Sequence, residues 1–229
     1  MSSARWTEVE AGPRRLLVVP LGSLEQHGPH LPLDTDTRIA VAVASRACAG
    51  RAGTGLAPAV PIGASGEHAD FPGTLSIGAA ALTLLLVELG RHASLHWSAM
   101  LLVNGHGGNA AAIADAVRQL RAEGRECYVW HAGVPGSDAH AGRMETSMML
   151  ALAPSDVRLA AAEPGETRPL AEIMPALRAG GVRALSPNGV LGDPTGASAR
   201  EGEWLLGQLA ADLTETLDTL LTGVEGSNL

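Results

Sequence analysis

"SAMLLVNGHGGNAAAIADAVRQLRAEG", residues 98–124, carries the pattern that decides the fold. Its opening "SAMLLVNG" is an unbroken apolar run closed by Asn104 and Gly105, the signature of a buried strand. Two further glycines follow, and then an alanine-rich helix that Gly124 stops. Strand, glycine turn and helix in this order form the unit of a parallel α/β sheet. The flanking sequence repeats the alternation. Residues 15–20, "RLLVVP", and 126–133, "ECYVWHAG", read as further strands. Residues 55–63, "GLAPAVPIG", form a candidate strand whose prolines argue against a central place. Helices are expected at 37–49, 78–95, 141–152, 170–179 and 198–222. No repeat, long linker or charge run divides the chain. The expectation is one α/β domain over 1–229, a mostly parallel sheet with helices on both faces, and flexible tails at 1–13 and 223–229.

Composition narrows the function. Hydrophobic residues make up 46% and aromatics only 3%, so the core is aliphatic. All 16 basic residues are arginine, and the formal net charge is −8. That balance argues against a nucleic-acid binder, which needs a basic footprint. Cys48 and Cys127 lack CxxC spacing and read as buried free thiols, with nothing to suggest an oxidising compartment. The opening "MSSARWTEVEAGPRR" has no apolar signal core. The longest apolar stretch, "AAALTLLLVELG", is shorter than a membrane span and carries Glu88. A soluble, cytoplasmic protein is expected, with no nucleic-acid or membrane partner.

Sites in such folds form beyond the carboxyl ends of the strands, and the chemistry-bearing residues gather there. The first strand leads into "GSLEQHGPHLPLDTD", residues 22–36, with Glu25, His27 and Asp36. Glu25 and His27 are two apart and share a side of extended backbone. Gly28, Pro29 and Pro32 shape a rigid loop that turns Asp36 back toward them. The second strand leads into "NGHGGN" with His106, and the third, after a loop, into "DAHAGRMETS" with His140 and Glu145. A carboxylate bridges two cations with its two oxygens, and a neutral imidazole supplies one lone pair. Mixed N/O donors without thiolate suit Zn²⁺, Mn²⁺ or Fe²⁺ in a two-metal site. The competing readings are bland: Asp34 and Asp36 as helix caps, the glycine loop as an anion cradle, Glu145 as a surface helix residue. The glycine loop lacks the Lys-Ser/Thr of a P-loop. His30 is expected to shape its loop, His68 to line a pocket wall, and His92, His96 and His131 to be structural.

The segments "PLGSLEQHGPHLPLDTD", "GEHADFPGTLS", "NGHGGN", "HAGRMETS" and "GVLGDPTGAS" occur in order from about residue 16 to about 205, nearly the whole chain. Together they resemble the creatininase family of metal-dependent amidohydrolases. The resemblance implies Glu25, His27 and Asp36 as metal ligands, Asp36 bridging, and His106 as a further ligand. It implies His140 as the histidine near the reacting carbonyl. In creatininase proper the residue two places after the glycine-loop histidine is a ligand glutamate; here it is Gly108, and Glu145 is the expected replacement. Tryptophans enclose the small ring in creatininase, and one of those positions is Gly136 here. Trp130 is near in sequence. Within the family the likeness is to the branch found in mycofactocin systems, which cuts a modified, ribosomally made precursor peptide.

The resemblance therefore implies a peptidase with two divalent metal ions, Zn²⁺ and/or Fe²⁺ with Mn²⁺ as a further option, releasing a C-terminal Val-Tyr-derived unit. The catalytic residues would be His140 and Glu145. Family members form closed oligomers, so a homo-oligomer, hexamer or octamer, is expected. The alternative within the family is an amidohydrolase of a small cyclic amide or formamide. A non-catalytic anion-binding module leaves Glu25 and Asp36 unexplained, since carboxylates repel anions.

Overall fold

A computed structural model describes Met1, residues 3–134 and residues 136–226, the side chains of 224–226 excepted. Four strands form the sheet: β1 (Leu16–Leu21), β2 (Thr54–Leu56), β3 (Ala99–Asn104) and β4 (Cys127–His131). Their order is β2-β1-β3-β4, and every pairing is parallel. Leu16 pairs with Ala99 and Leu21 with Asn104, so β1 and β3 end level with one another. The expected strand at 55–63 survives only as short edge strand β2, with Val60 adding an isolated bridge to Leu21. Pro58 and Pro61 have no N–H to donate, which confines the segment to the edge.

The helices are α1 (Trp6–Ala11), α2 (Thr35–Cys48), α3 (Gly78–Ala93), α4 (Ala110–Ala122), α5 (Arg143–Leu152), α6 (Leu170–Leu185) and α7 (Ala199–Gly226). Helix α1 falls in the stretch expected as a tail and buries none of its residues. Helix α6 outruns the expected 170–179: Gly181, at φ 70 and ψ −178, breaks it and the chain resumes helical turns to Leu185. Helix α7 likewise continues to Gly226, and the rest of the expected C-terminal tail, 227–229, lies outside the described residues.

Side chains alternate across a strand, and both faces here are apolar. Leu16, Val18, Leu101 and Val103 pack with α2, α5 and α7 through Ile39, Val43, Met148, Met149, Leu206 and Leu213. Leu17, Val19, Leu21, Met100 and Leu102 pack with α3 and α4 through Leu82, Leu86, Ile113 and Leu120. Double coverage is why β1 and β3 read as continuous apolar runs rather than alternating ones. Cys48 and Cys127 are free thiols, the first half-buried and the second buried. Among the described residues no helix is long and apolar enough to cross a membrane.

Leu102 is fully buried between the sheet and α3–α4. Leu102→Ala is expected to cost about 2–5 kcal/mol of unfolding free energy, read from the midpoint of urea denaturation.

Candidate metal centre

Between β1 and α2 the chain doubles back on itself. The Glu25 N–H donates to the Leu33 carbonyl at 2.9 Å, and His27 and Leu31 form an antiparallel bridge. This hairpin-like loop brings Glu25, His27 and the first turn of α2 together. Asp36 lies in that turn, where the helix dipole favours a carboxylate. The capping reading does not describe it. Asp34 holds the N-cap position without a capping bond and pairs with Arg38 at 2.8 Å, whereas Asp36 turns inward. Its Oδ1 lies 3.0 Å from His27 Nε2, its Oδ2 lies 3.2 Å from His106 Nδ1, and the Ser23 hydroxyl donates to Oδ2 at 2.8 Å. The two oxygens thus face two different imidazoles.

His106 arrives from the end of β3. A Cβ at Gly105 would meet the Asp36 carbonyl oxygen at 2.7 Å, so a glycine is required where β3 passes the start of α2. Two asparagines tie the segments. Asn104 Nδ2 donates to the His106 carbonyl at 2.6 Å. Asn109 Nδ2 donates to the Gly22 carbonyl at 3.0 Å, while its Oδ1 accepts from the Ala64 N–H at 2.9 Å. His140 and Glu145 arrive beyond β4. His140 exchanges backbone hydrogen bonds with Leu191 of the "GVLGDPT" segment. Ala141 takes φ 53, an uncommon value for a non-glycine residue, and its N–H donates to Glu145 Oε2 at 2.6 Å. That oxygen lies 3.9 Å from His27 Nε2.

All six residues singled out in the sequence therefore converge: Glu25, His27, Asp36, His106, His140 and Glu145. Others join them. His68, expected only as a pocket wall, is buried with Nε2 3.3 Å from Glu25 Oε1. Gln26 is buried between His68 and His140. Glu67 Oε1 stands 3.6 Å from His106 Nε2, in the space that a Cβ at Gly108 would need at 2.3 Å. The available signal was "GEHADFPGT", which carries Glu67 and His68 but gives no hint of which histidine face would meet Glu25. His30 bonds to the Thr146 hydroxyl at 2.9 Å, joining its loop to α5. His92 and His96 form an edge-on ring pair away from the cluster, at the end of α3.

The cluster is charged and nearly dry. Burial alone would depress the His27 pKa, but Asp36, Glu145 and Glu25 outweigh it and raise it to about 10. His106 is likewise raised well above its usual value, because Asp36 and Glu25 overcome burial. Burial opposes ionisation of Asp36 too, yet His27 and His106 hold its carboxyl well below the usual range. Burial lifts Glu145 to about 7 against the pull of His27. His140 is pushed well down by burial and by the cationic His27. One group is poorly satisfied: both oxygens of fully buried Glu25 lack a well-aligned hydrogen bond among the described residues, with His106 Nε2 at 3.1 Å and His68 Nε2 at 3.3 Å beside them. A dry carboxylate without a donor is costly unless a cation faces it. Donor atoms of Glu25, His27 and Asp36, and separately of His27, His140 and Glu145, lie within 4.8 Å of one another. The residues fit divalent metal ions, and imidazole with carboxylate suits Zn²⁺, Mn²⁺ or Fe²⁺.

Asp36, Glu67, His68, His106, His140 and Glu145 form the floor of a cavity of about 1260 Å³, with Glu25 and His27 behind them. Its walls include Met144, Leu170, Met174, Leu177 and Arg178. None of the four tryptophans lines it. Trp130 is buried against α7, its indole N–H donating to Asp212 at 2.6 Å. Gly136 is part of the cavity wall.

Clustered imidazoles and carboxylates at the carboxyl edge of a parallel sheet are the arrangement of a metal-dependent enzyme. A family model described as "Creatininase: Creatinine amidohydrolase" matches residues 2–217, and the chain belongs to the creatininase family, hydrolases that act on amide bonds. The "Mycofactocin precursor peptide peptidase" of Mycolicibacterium smegmatis is 55% identical over 200 residues, covering 85% of this chain and 81% of that one. The "Creatinine amidohydrolase" of Pseudomonas putida is 31% identical over 236 residues, covering 88% and 89%. The crystal structure of a creatinine amidohydrolase (creatininase) superposes with a TM-score of 0.80 at 28% identity, covering 96% of each chain. Related solved structures are described as "Zn-Zn type" and "Creatininase Mn".

His27 and His106 hold protons in the metal-free protein, and a ligated cation must expel them. The apparent Zn²⁺ affinity should therefore climb between about pH 6 and 9, roughly tenfold per unit for each proton displaced. Calorimetry in buffers of different ionisation enthalpy reads that proton release, and an affinity flat with pH would contradict it. Glu25→Gln should abolish the rise in melting temperature that Zn²⁺ gives the wild type. With chelator present, the same variant should melt below chelated wild type, because the protonated His106 imidazole 3.1 Å from Glu25 loses a counter-charge.

Proposed function

We propose that this chain is a two-metal peptidase that cleaves a modified, ribosomally made precursor peptide of the mycofactocin type and releases its C-terminal Val-Tyr-derived unit. The observation that carries the reading is the size and wall of the cavity above the cluster, at about 1260 Å³ with no tryptophan in it. Pockets for drug-sized ligands span about 300–1,000 Å³, and a small ring would leave most of this one wet. The relative at 55% identity named as a precursor peptide peptidase supports the same substrate class. Acting on a small cyclic amide or formamide is the second reading, favoured by the name of the Pseudomonas putida relative.

Glu25, His27, Asp36, His106 and Glu145 would hold two divalent ions, Zn²⁺ and/or Fe²⁺ with Mn²⁺ as a further option, Asp36 facing both. When bound, such ions polarise a carbonyl oxygen and bring the pKa of a bound water toward neutrality. The protein's own groups do the rest. Glu25 and Asp36 supply negative charge toward the ions, and the buried surroundings exclude bulk water. His140, its ring centroid 4.3 Å from that of His27, serves the reacting carbonyl by hydrogen bonding or proton transfer. Glu145 has its carboxylate fixed by the Ala141 N–H. The apolar wall of Met144, Leu170, Met174 and Leu177 suits an aromatic peptide end. We place the enzyme in the cytoplasm, where a ribosomally made peptide arises. A homo-oligomer, hexamer or octamer, accords with exposed Leu84 and Leu85 on α3, an apolar face that a second copy would cover.

The test is a mass-spectrometric cleavage assay of metal-loaded protein with a precursor peptide bearing the decarboxylated Val-Tyr end, and creatinine in parallel. Expected are release of the two-residue-derived fragment and its loss with chelator or in Asp36→Ala, which should also lose bound metal. An intact peptide beside opened creatinine would overturn the peptidase reading.

A further inference from the structure

Gln26 is a buried amide among the ionisable groups of the floor, and its orientation is determined by the backbone. Its Oε1 accepts from the Gly28 N–H at 2.8 Å, and its Nε2 donates to the Gly189 carbonyl at 2.9 Å. An N–H needs an oxygen and a carbonyl needs a donor, so the two ends of the amide cannot be exchanged. Gly189 has φ 83, and a Cβ there would sit on Gln26 Oε1, so the turn is shaped around this side chain.

With the amide fixed, the protons on two neighbouring rings follow. His140 Nε2 lies 2.8 Å from the Gln26 backbone carbonyl, which only accepts. The His140 proton is therefore on Nε2, and its Nδ1 is bare, aimed toward Glu25 Oε1 at 3.7 Å. Because Nε2 already carries a proton, it does not accept from the Gln26 amide 3.1 Å away. The amide has two protons; one goes to Gly189, and the other reaches His68 Nδ1 at 2.9 Å. His68 Nδ1 is thus an acceptor, and its remaining proton is on Nε2, on the side of Glu25. The two rings lie 4.5 Å apart, centroid to centroid.

We infer that Gln26 is a positioning residue that gives two adjacent histidines opposite roles toward the reaction: His140 presents a bare Nδ1 as proton acceptor, and His68 presents an Nε2–H as donor. The inference rests on the amidohydrolase reading and settles which of two roles His140 plays there. His140 Nδ1 takes one proton from the attacking water and hands it to the amide nitrogen as the C–N bond breaks. The water's second proton, left on the new carboxyl group, passes to the released amine, so the products are a carboxylate and an ammonium and no further reactant is needed. The His68 N–H remains to orient Glu25, or the carbonyl oxygen of a substrate lying against it.

The experiment is nitrogen NMR on Zn²⁺-loaded protein carrying ¹⁵N-labelled histidine, with His68 and His140 assigned by substitution. Wild type is expected to show both as neutral Nε2–H tautomers. Gln26→Glu puts a carboxylate oxygen beside His68 Nδ1, so His68 should move to the Nδ1–H form. The variant's kcat should fall about 100-fold, the scale of a misplaced acid–base group, with KM within about twofold. Wild-type His68 found as Nδ1–H, or a His68 signature unmoved by Gln26→Glu in a folded variant, would overturn the inference. The wild-type spectrum decides the matter even where the variant does not fold. Tautomers as stated in a protein without amide hydrolysis would sink the enzymatic reading and leave the positioning intact.

Discussion

Burying carboxylates at the end of a sheet is the constraint on which the rest of the structure depends. Glu25 and Asp36 are almost entirely shielded from water, and Glu25 faces imidazoles, His106 at 3.1 Å and His68 at 3.3 Å. A hydrophobic domain does not retain such groups unless cations repay their desolvation. Among the described residues, protons on His27 and His106 are the cations that face these carboxylates without metal, and the carboxylates raise both imidazole pKa values. The loop that doubles back to bring Glu25 beside Asp36, the glycine that lets β3 approach α2, and the asparagines that lash three segments together all hold like charges at close range.

A parallel sheet supplies the geometry. All four strands run the same way, so everything that follows a strand emerges at one edge. Because β1 and β3 are neighbours, the first loop and the glycine turn share that edge; β4 adds His140 and Glu145 alongside. Edge strand β2 feeds the stretch that carries Glu67 and His68, which closes the cluster from the other side. Helices on both faces leave this edge as the place where polar chemistry meets a cavity.

The cavity takes its width from what stands in its walls. Trp130 packs in the core with its indole N–H on Asp212, and Gly136 adds no side chain to the wall. The result is a wide space bordered by methionine and leucine over the imidazoles and carboxylates. Flexible apolar side chains adapt to an irregular ligand better than a rigid aromatic box does.

Much of this was legible from the chain. Apolar runs long enough to be covered on both faces marked β1, β3 and β4, and strand-end positions picked out the six converging residues, because a parallel topology sends strand ends to one place. Two things were not legible. The segment 55–63 has strand-like composition, but only its neighbours decide how many backbone groups can pair, and its prolines left β2 short. Gln26 and His68 carry no spacing signal: one is an ordinary polar residue between two acidic-site residues, the other lies about forty positions away from it in sequence. Their roles arise from which ring nitrogen faces which carbonyl, and hydrogen-bond direction exists only between groups that the tertiary fold has brought within about 3 Å. Sequence by itself determined the donor chemistry and its strand-end placement; tertiary structure alone decided which atoms of those donors face one another, since burial and orientation are properties of packed neighbours and not of a linear pattern.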